Sequence, residues 1–204
     1  MVLEGIRAKM INIREWINKD GVLRIPLFLN AGTMENSQGL RYQLQIVGHN
    51  TFDGLKDLRK LIIPATVTNM EWCFYHCYNL AEFEVDEDNP EFCSIDGVLF
   101  TKDRKKLVAY PNAHGSEYVI PEGVEEIMHF AFKSCKDVKV VRLSSSVRKI
   151  SINAFYECPS LKAIYLPDKF EVLEECTSKA NIRCEFVFKG RKYTYDEVIE
   201  RFQS

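Results

Sequence analysis

Large apolar residues return along this chain at an interval that neither a helix nor a strand produces. Superposing Ala131-Phe132-x-x-Cys135 on Ala154-Phe155-x-x-Cys158 fixes a shift of 23 residues. At that shift Leu143 falls over Leu166, Ile120 over Leu143 and Leu40 over Ile63, while Ile63 to Val85 is one residue shorter. A helical period of about 3.6 or a strand period of about 2 gives no such long return. Self-similarity of this length marks a stack of repeated units.

One unit reads V-x-x-I-x-x-x-A-F-x-x-C-x-x-L-x-x-V-x-I-P. Val124, Ile127, Phe132, Cys135, Val138, Val141 and Leu143 fill it, and Val147, Ile150, Phe155, Cys158, Leu161, Ile164 and Leu166 fill the next. Val67, Met70, Phe74, Cys77, Leu80, Phe83 and Val85 form an earlier copy, with Cys73 in the alanine place. The loosest copy is Leu44, Val47, Phe52, Leu55, Leu58, Leu61 and Ile63. A single unit cannot bury its apolar ring, whereas stacked units bury a continuous core. The pattern therefore predicts about four coils. In each, L-x-x-V-x-I is a short strand ended by Pro64, Pro121 or Pro167, with Ser144 in the proline place of the remaining unit. A-F-x-x-C is read as a helical turn, and Phe74, Phe132 and Phe155 are expected to be buried in register.

The A-F-x-x-C and I-P pattern resembles the BspA-like class of leucine-rich repeats, also called the Treponema pallidum type, over about residues 40 to 173. The resemblance implies an α/β repeat solenoid, a right-handed superhelix. It extends to the wider gap between Val85 and Ile120, where Asp96-Gly97-Val98-Leu99-Phe100, Thr101-Lys102-Asp103 and Leu107-Val108-Ala109-Tyr110-Pro111 match a segment found in many such proteins. That segment reads as a β-hairpin, with Val98 to Phe100 and Lys106 to Tyr110 as strands. The insert occupies about residues 86–118.

Exposed end coils of a solenoid need covering. Residues 1–39 are read as an N-terminal cap: a helix carrying Leu3, Ile6, Met10, Ile13 and Ile17, then a strand over residues 22–29 and a polar loop over 30–39. Residues 174–204 are read as the C-terminal cap. Strand character over 184–188 and a turn at Lys189-Gly190 lead there to a helix opened by the capping box Thr194-x-x-Glu197.

Candidate chemistry adds little to this picture. Lys plus Arg number 27 and Asp plus Glu 29, a net charge of −2, which argues against a nucleic-acid partner. No apolar run is long enough for a membrane span. Charges at Glu4, Arg7, Lys9, Arg14, Glu15, Lys19 and Asp20 do not fit a signal peptide, although the resemblance points to secreted or cell-surface proteins. Seven cysteines cannot all pair within the chain, and Cys176 with Cys184 is the one pair read as a candidate bridge. Cys77, Cys135 and Cys158 share an inward repeat position and read as core residues. His49, His76, His114 and His129 and the run Ser144 to Ser146 show no catalytic context. No metal site, cofactor or catalytic residue is expected.

In a solenoid, equivalent outward positions become rows on the surface. The outward row of the strands is Ile62, Glu84, Arg142 and Tyr165, flanked by Lys60, Glu82, Val140 and Ala163. An acidic cluster from Glu82 to Glu91 and a basic run from Lys102 to Lys106 lie nearby in sequence. The candidate ligand-binding face is Lys60, Ile62, Glu82, Glu84, Arg142 and Tyr165. This favours a non-catalytic module that binds a protein, and the resemblance implies an adhesin-like role toward a host or matrix component. The other reading is a structural spacer or assembly unit, with glycan binding also open.

Overall fold

The computed structural model describes residues 2–3, 13–30, 41–48, 51–70, 74–174, 176 and 184–202. Leu40, His49, Trp72 and Cys73, and the middle of the expected N-terminal helix, lie outside these residues.

The chain winds as a solenoid whose coils each contribute one strand to each of two parallel ladders. The longer-strand ladder contains Val22–Arg24, Lys60–Ile63 and Glu82–Val85 in one block. Glu117–Val119, Val140–Arg142, Ala163–Leu166 and Glu185–Phe188 form its second block. Across the rungs Leu23, Leu61 and Phe83 pair in register, as do Tyr118, Val141, Ile164 and Phe186. The shorter-strand ladder runs Val2–Leu3, Ile46–Val47 and Asn69–Met70, and separately Lys106–Ala109, Glu126–Ile127, Lys149–Ile150 and Val172–Leu173.

The ladder extends beyond the expected four coils at both ends. Val22–Arg24, read as a cap strand, is the first rung: Leu23 lies beside Leu61, and Ile25-Pro26 occupies the I-P place of Ile63-Pro64. The antiparallel pair Phe28–Asn30 and Arg41–Gln43 lengthens this coil, so the 23-residue shift misses it. Glu185–Phe188 is likewise a rung, paired with Ala163–Leu166. The N-terminal helix is overturned where its span is described, since Val2–Leu3 is a strand and Ile13–Trp16 a single turn of 3-10 helix. In that strand Leu3 pairs in register with Val47.

The architecture is mostly β. Among the described residues the one α-helix is Tyr195–Phe202. Its first turn is closed reciprocally: the Thr194 N–H donates to Glu197 Oε2 at 2.7 Å, and the Glu197 N–H donates to Thr194 Oγ1 at 3.3 Å. Val198 is buried, and Phe202 meets Phe170 and Phe188 edge-on.

The A-F-x-x-C segments are tight turns rather than helical ones. The residue before the cysteine place has positive φ in every described copy, at Gly54 (68°), His76 (56°), Ser134 (61°) and Glu157 (57°). Left-handed backbone at a non-glycine residue is strained, about 1–2 kcal/mol each, and a thiol-to-backbone bond holds the neighbouring residue. Cys77 Sγ donates to the Phe52 carbonyl at 2.8 Å and Cys158 Sγ to the Phe132 carbonyl at 3.0 Å, each in the preceding coil. Cys135 Sγ lies 3.3 Å from Asn112 Oδ1 and 3.6 Å from the Tyr110 carbonyl. Burial pushes the Cys77 thiol up to about 12 and raises Cys135 and Cys158 as well, so these sulfurs remain protonated donors. Cys176 and Cys184 are thiols, not a bridge.

Phe132 and Phe155 are fully buried and stack 4.8 Å apart. Phe74 departs from the expected register and is only half-buried, against Phe52 and Phe83. The coil above it is displaced by the insert, a three-stranded meander of Phe92–Ile95, Val98–Thr101 and Lys106–Ala109. Asp96 and Gly97, both at positive φ, make its first turn. The middle strand divides the interior. Val98 and Phe100 belong to the C-terminal core, and Leu99 to the N-terminal one.

Candidate protein-recognition face

Strand alternation that buries Leu61, Phe83, Val141 and Ile164 turns their neighbours to the opposite face. Glu117, Val140, Ala163 and Glu185 therefore form one row, and Val119, Arg142, Tyr165 and Val187 the next. Lys60 faces Glu82 and Ile62 faces Glu84 on the other block.

The six candidate residues thus occupy two patches on separate sheets rather than a single ladder. In the N-terminal patch Lys60 Nζ sits 2.7 Å from both Glu82 Oε1 and Glu84 Oε2. These two contacts, Glu82 first, raise the lysine above its ordinary value. Ile62 is 8% exposed, between Arg24 and Glu84 in register, so the expectation of an exposed isoleucine fails. Its flanking side chains are long enough to cover it.

In the C-terminal patch the Arg142 guanidinium lies 3.9 Å from the centre of the Tyr165 ring. This cation–π contact fixes both side chains on a rigid sheet. Val119, 63% exposed, and the half-buried Val187 complete the row, and at the end of the neighbouring row Lys192 pairs with Glu185 at 2.7 Å. The result is an apolar strip carrying one stacked Arg–Tyr pair and bordered by charge.

Other charged residues are engaged structurally. Along the shorter-strand ladder Lys106 Nζ lies 2.8 Å from Glu126, Lys149 lies 3.8 Å from Glu126, and Lys149 lies 2.7 Å from Glu174. Burial pushes the Glu126 carboxyl up, but hydrogen bonds from Lys106 and Ser151 outweigh it and leave the group below its ordinary value. The basic run is likewise tied, through Lys102 to the Glu87 carbonyl and Lys105 to Glu125.

The isolated histidines do not converge on a reaction centre. His76 bonds Asp53 at 2.9 Å, and His114 Nδ1 lies 3.0 Å from the Ala81 carbonyl. Ser144 and Ser146 donate to the Pro121 and Val124 carbonyls. Sequence reasoning missed a nest on the turn side in which Lys133 Nζ lies 3.2 Å above Tyr75 and 4.6 Å from Phe130. These residues come from coils on either side of the insert, so no periodic signal joins them. Among the described residues no three His, Cys, Asp or Glu side chains are placed to hold a metal ion, and no helix is long and apolar enough to cross a membrane.

Comparison with solved structures shows the same fold elsewhere. A leucine rich cell surface protein from Faecalibacterium prausnitzii is 22% identical, with a TM-score of 0.51 over 85% of this chain and 55% of that one. The pneumococcal vaccine antigen PcpA (16% identity, TM-score 0.48, 79% of this chain and 57% of that one) is also similar. So is the T. pallidum leucine rich repeat protein (18%, 0.46, 85% and 71%). The chain spans about half the length of the first two. No curated protein matched in sequence. Residues 27–105 and 106–189 match six copies of the BspA type leucine rich repeat region, more than the four coils expected, and that family is a repeat scaffold with no catalytic assignment. The chain belongs to the BspA type leucine-rich repeat family.

Proposed function

We propose that this chain is a non-catalytic recognition module that binds a protein partner through the outward face of its longer-strand ladder. The observation that carries the reading is the Arg142–Tyr165 stack, held at 3.9 Å beside the exposed Val119. Arginine and tyrosine dominate measured binding energies, and an apolar centre with a polar rim is the usual build of an interface. A sheet whose register is fixed by neighbouring rungs meets a partner with little ordering cost. Lys60, paired with both Glu82 and Glu84, serves with them as a second, electrostatic contact, and Ile62 contributes little because it is covered. An adhesin-like role toward a host or matrix protein fits a repeat scaffold whose structural neighbours include a bacterial cell surface protein.

Affinity capture from host and bacterial extracts, with the wild type and the Arg142→Ala/Tyr165→Ala variant side by side, tests the proposal. A captured protein should disappear in the variant. Undiminished capture removes this face from consideration and leaves a spacer role.

A further inference from the structure

In the basic run conspicuous in the sequence Lys105 and Lys106 pair with Glu125 and Glu126, whereas a second group of cations, scattered in sequence, has no such carboxylates. Arg14, Lys19, Lys56 and Arg59 line a 390 Å³ hollow with Asn18, Asn79, Ile17, Gly21 and, among the described residues, one carboxylate, Asp57. None of the four cations forms an ion pair among the described residues. Four positive side chains against one negative, on a chain of net charge −2, is a local reversal of sign. A concave wall lined by one sign of charge focuses the field and raises the local concentration of counter-ions.

The walls are built rather than incidental. Asn18 Oδ1 accepts the N–H groups of Asp20 and Val22, both at 2.9 Å, which shapes the turn carrying Lys19 and leaves the amide NH2 free of that task. The Arg59 N–H donates to the Gly21 carbonyl at 2.8 Å, and the arginine stem lies against Gly21 so closely that a Cβ there would stand 2.7 Å from Arg59 Cγ. Asn79 Nδ2 donates to the Lys56 carbonyl at 2.7 Å, tying the next coil to the same corner.

We propose that this hollow binds an anionic saccharide unit, one bearing sulfate or carboxylate groups. Its volume lies within the small-ligand range of about 300–1,000 Å³. Two asparagines among the cations suit a ligand that presents hydroxyls as well as charge. Among the described residues no aromatic ring lines it to stack a nucleobase, so a single-stranded nucleic acid lacks its usual platform. A neutral sugar would find few apolar surfaces there, so the charge supplies the recognition. The site is separate from the Arg142–Tyr165 face, and its failure leaves that reading untouched.

The test is calorimetric titration of the whole chain with a heparin-derived hexasaccharide, its desulfated counterpart, inorganic phosphate and an acidic peptide. The sulfated saccharide should bind, and Lys56→Ser/Arg59→Ser should weaken it at least about tenfold at low salt, the screening-sensitive regime. Arg104→Ser/Lys105→Ser, an equal charge change elsewhere, should leave binding within about twofold, as should Arg142→Ala/Tyr165→Ala. All these side chains but Tyr165 are exposed, and circular dichroism verifies the fold of each variant. Absence of saccharide binding, equal losses in the two basic variants, or tighter binding of phosphate or the acidic peptide each overturns the proposal.

Discussion

Leu99 and Phe100 are consecutive residues of one strand, both fully buried, yet they face two different hydrophobic cores. Strand alternation makes this possible, and the insert uses it as a partition between the N-terminal and C-terminal stacks. The meander is therefore part of the framework. Its first turn approaches strand Glu82–Val85 so closely that a Cβ on Gly97 would stand 2.8 Å from Glu82 Cβ.

Gly97→Ala meets that contact and a φ of 79° together. A loss of about 1–3 kcal/mol is expected from strain of this kind. Urea unfolding measures it, and an unchanged midpoint would show that the turn does not press on the ladder.

Phe132→Ala removes a ring stacked between Tyr110 and Phe155, 4.8 Å from each. The expected cost is about 3–5 kcal/mol, as for other buried aromatic truncations. Phe74→Ala should cost clearly less, because that ring is only half-buried. Equal losses would contradict the register.

The thiols should resist alkylation while the chain is folded. Cys77, Cys135 and Cys158 are buried, with raised pKa values that keep the nucleophilic thiolate scarce. Mass measurement after iodoacetamide under native conditions should leave these three unmodified, and rapid modification would refute their inward placement. Cys158→Ala should cost about 0.5–1.5 kcal/mol, since the Phe132 carbonyl loses the thiol but keeps the Cys135 N–H.

Acid should weaken the shorter-strand ladder. Glu126 and Glu174 both have carboxyl pKa values lowered in the folded chain. A depressed carboxylate contributes stability that is present above its unfolded value and is lost as pH falls through the folded one. Stability should therefore decline below about pH 4.5, the ordinary carboxylate value. Glu126→Gln should flatten that decline in a pH series of thermal melts, and an identical slope would remove Glu126 from the account.

The repeat was readable because Phe132, Cys135, Phe155 and Cys158 hold both a side-chain type and a spacing. What broke the spacing was not readable. Leu23 lies over Leu61 across a lengthened coil, so its strand resembled a cap. Asp96-Gly97 is a hairpin signal, but the strand before it, Phe92–Ile95, is too irregular in polarity to stand out. The thiol bonds were hidden by the apolar reading of cysteine. Arg142 and Tyr165 could be placed on one face from register alone, whereas the burial of Ile62 depends on the stems of its neighbours. The hollow around Arg59 comes from three coil corners and has no periodicity to betray it.

The most direct measurement replaces Tyr165 with a photoreactive phenylalanine analogue, and exposed Glu122 with the same residue as a control, followed by irradiation in host and bacterial extracts. Crosslinks to a defined protein at position 165, absent at 122 and suppressed by Arg142→Ala, are the predicted result. Crosslinking at 122 alone, or equal products at both positions, would contradict recognition through the Arg142–Tyr165 face.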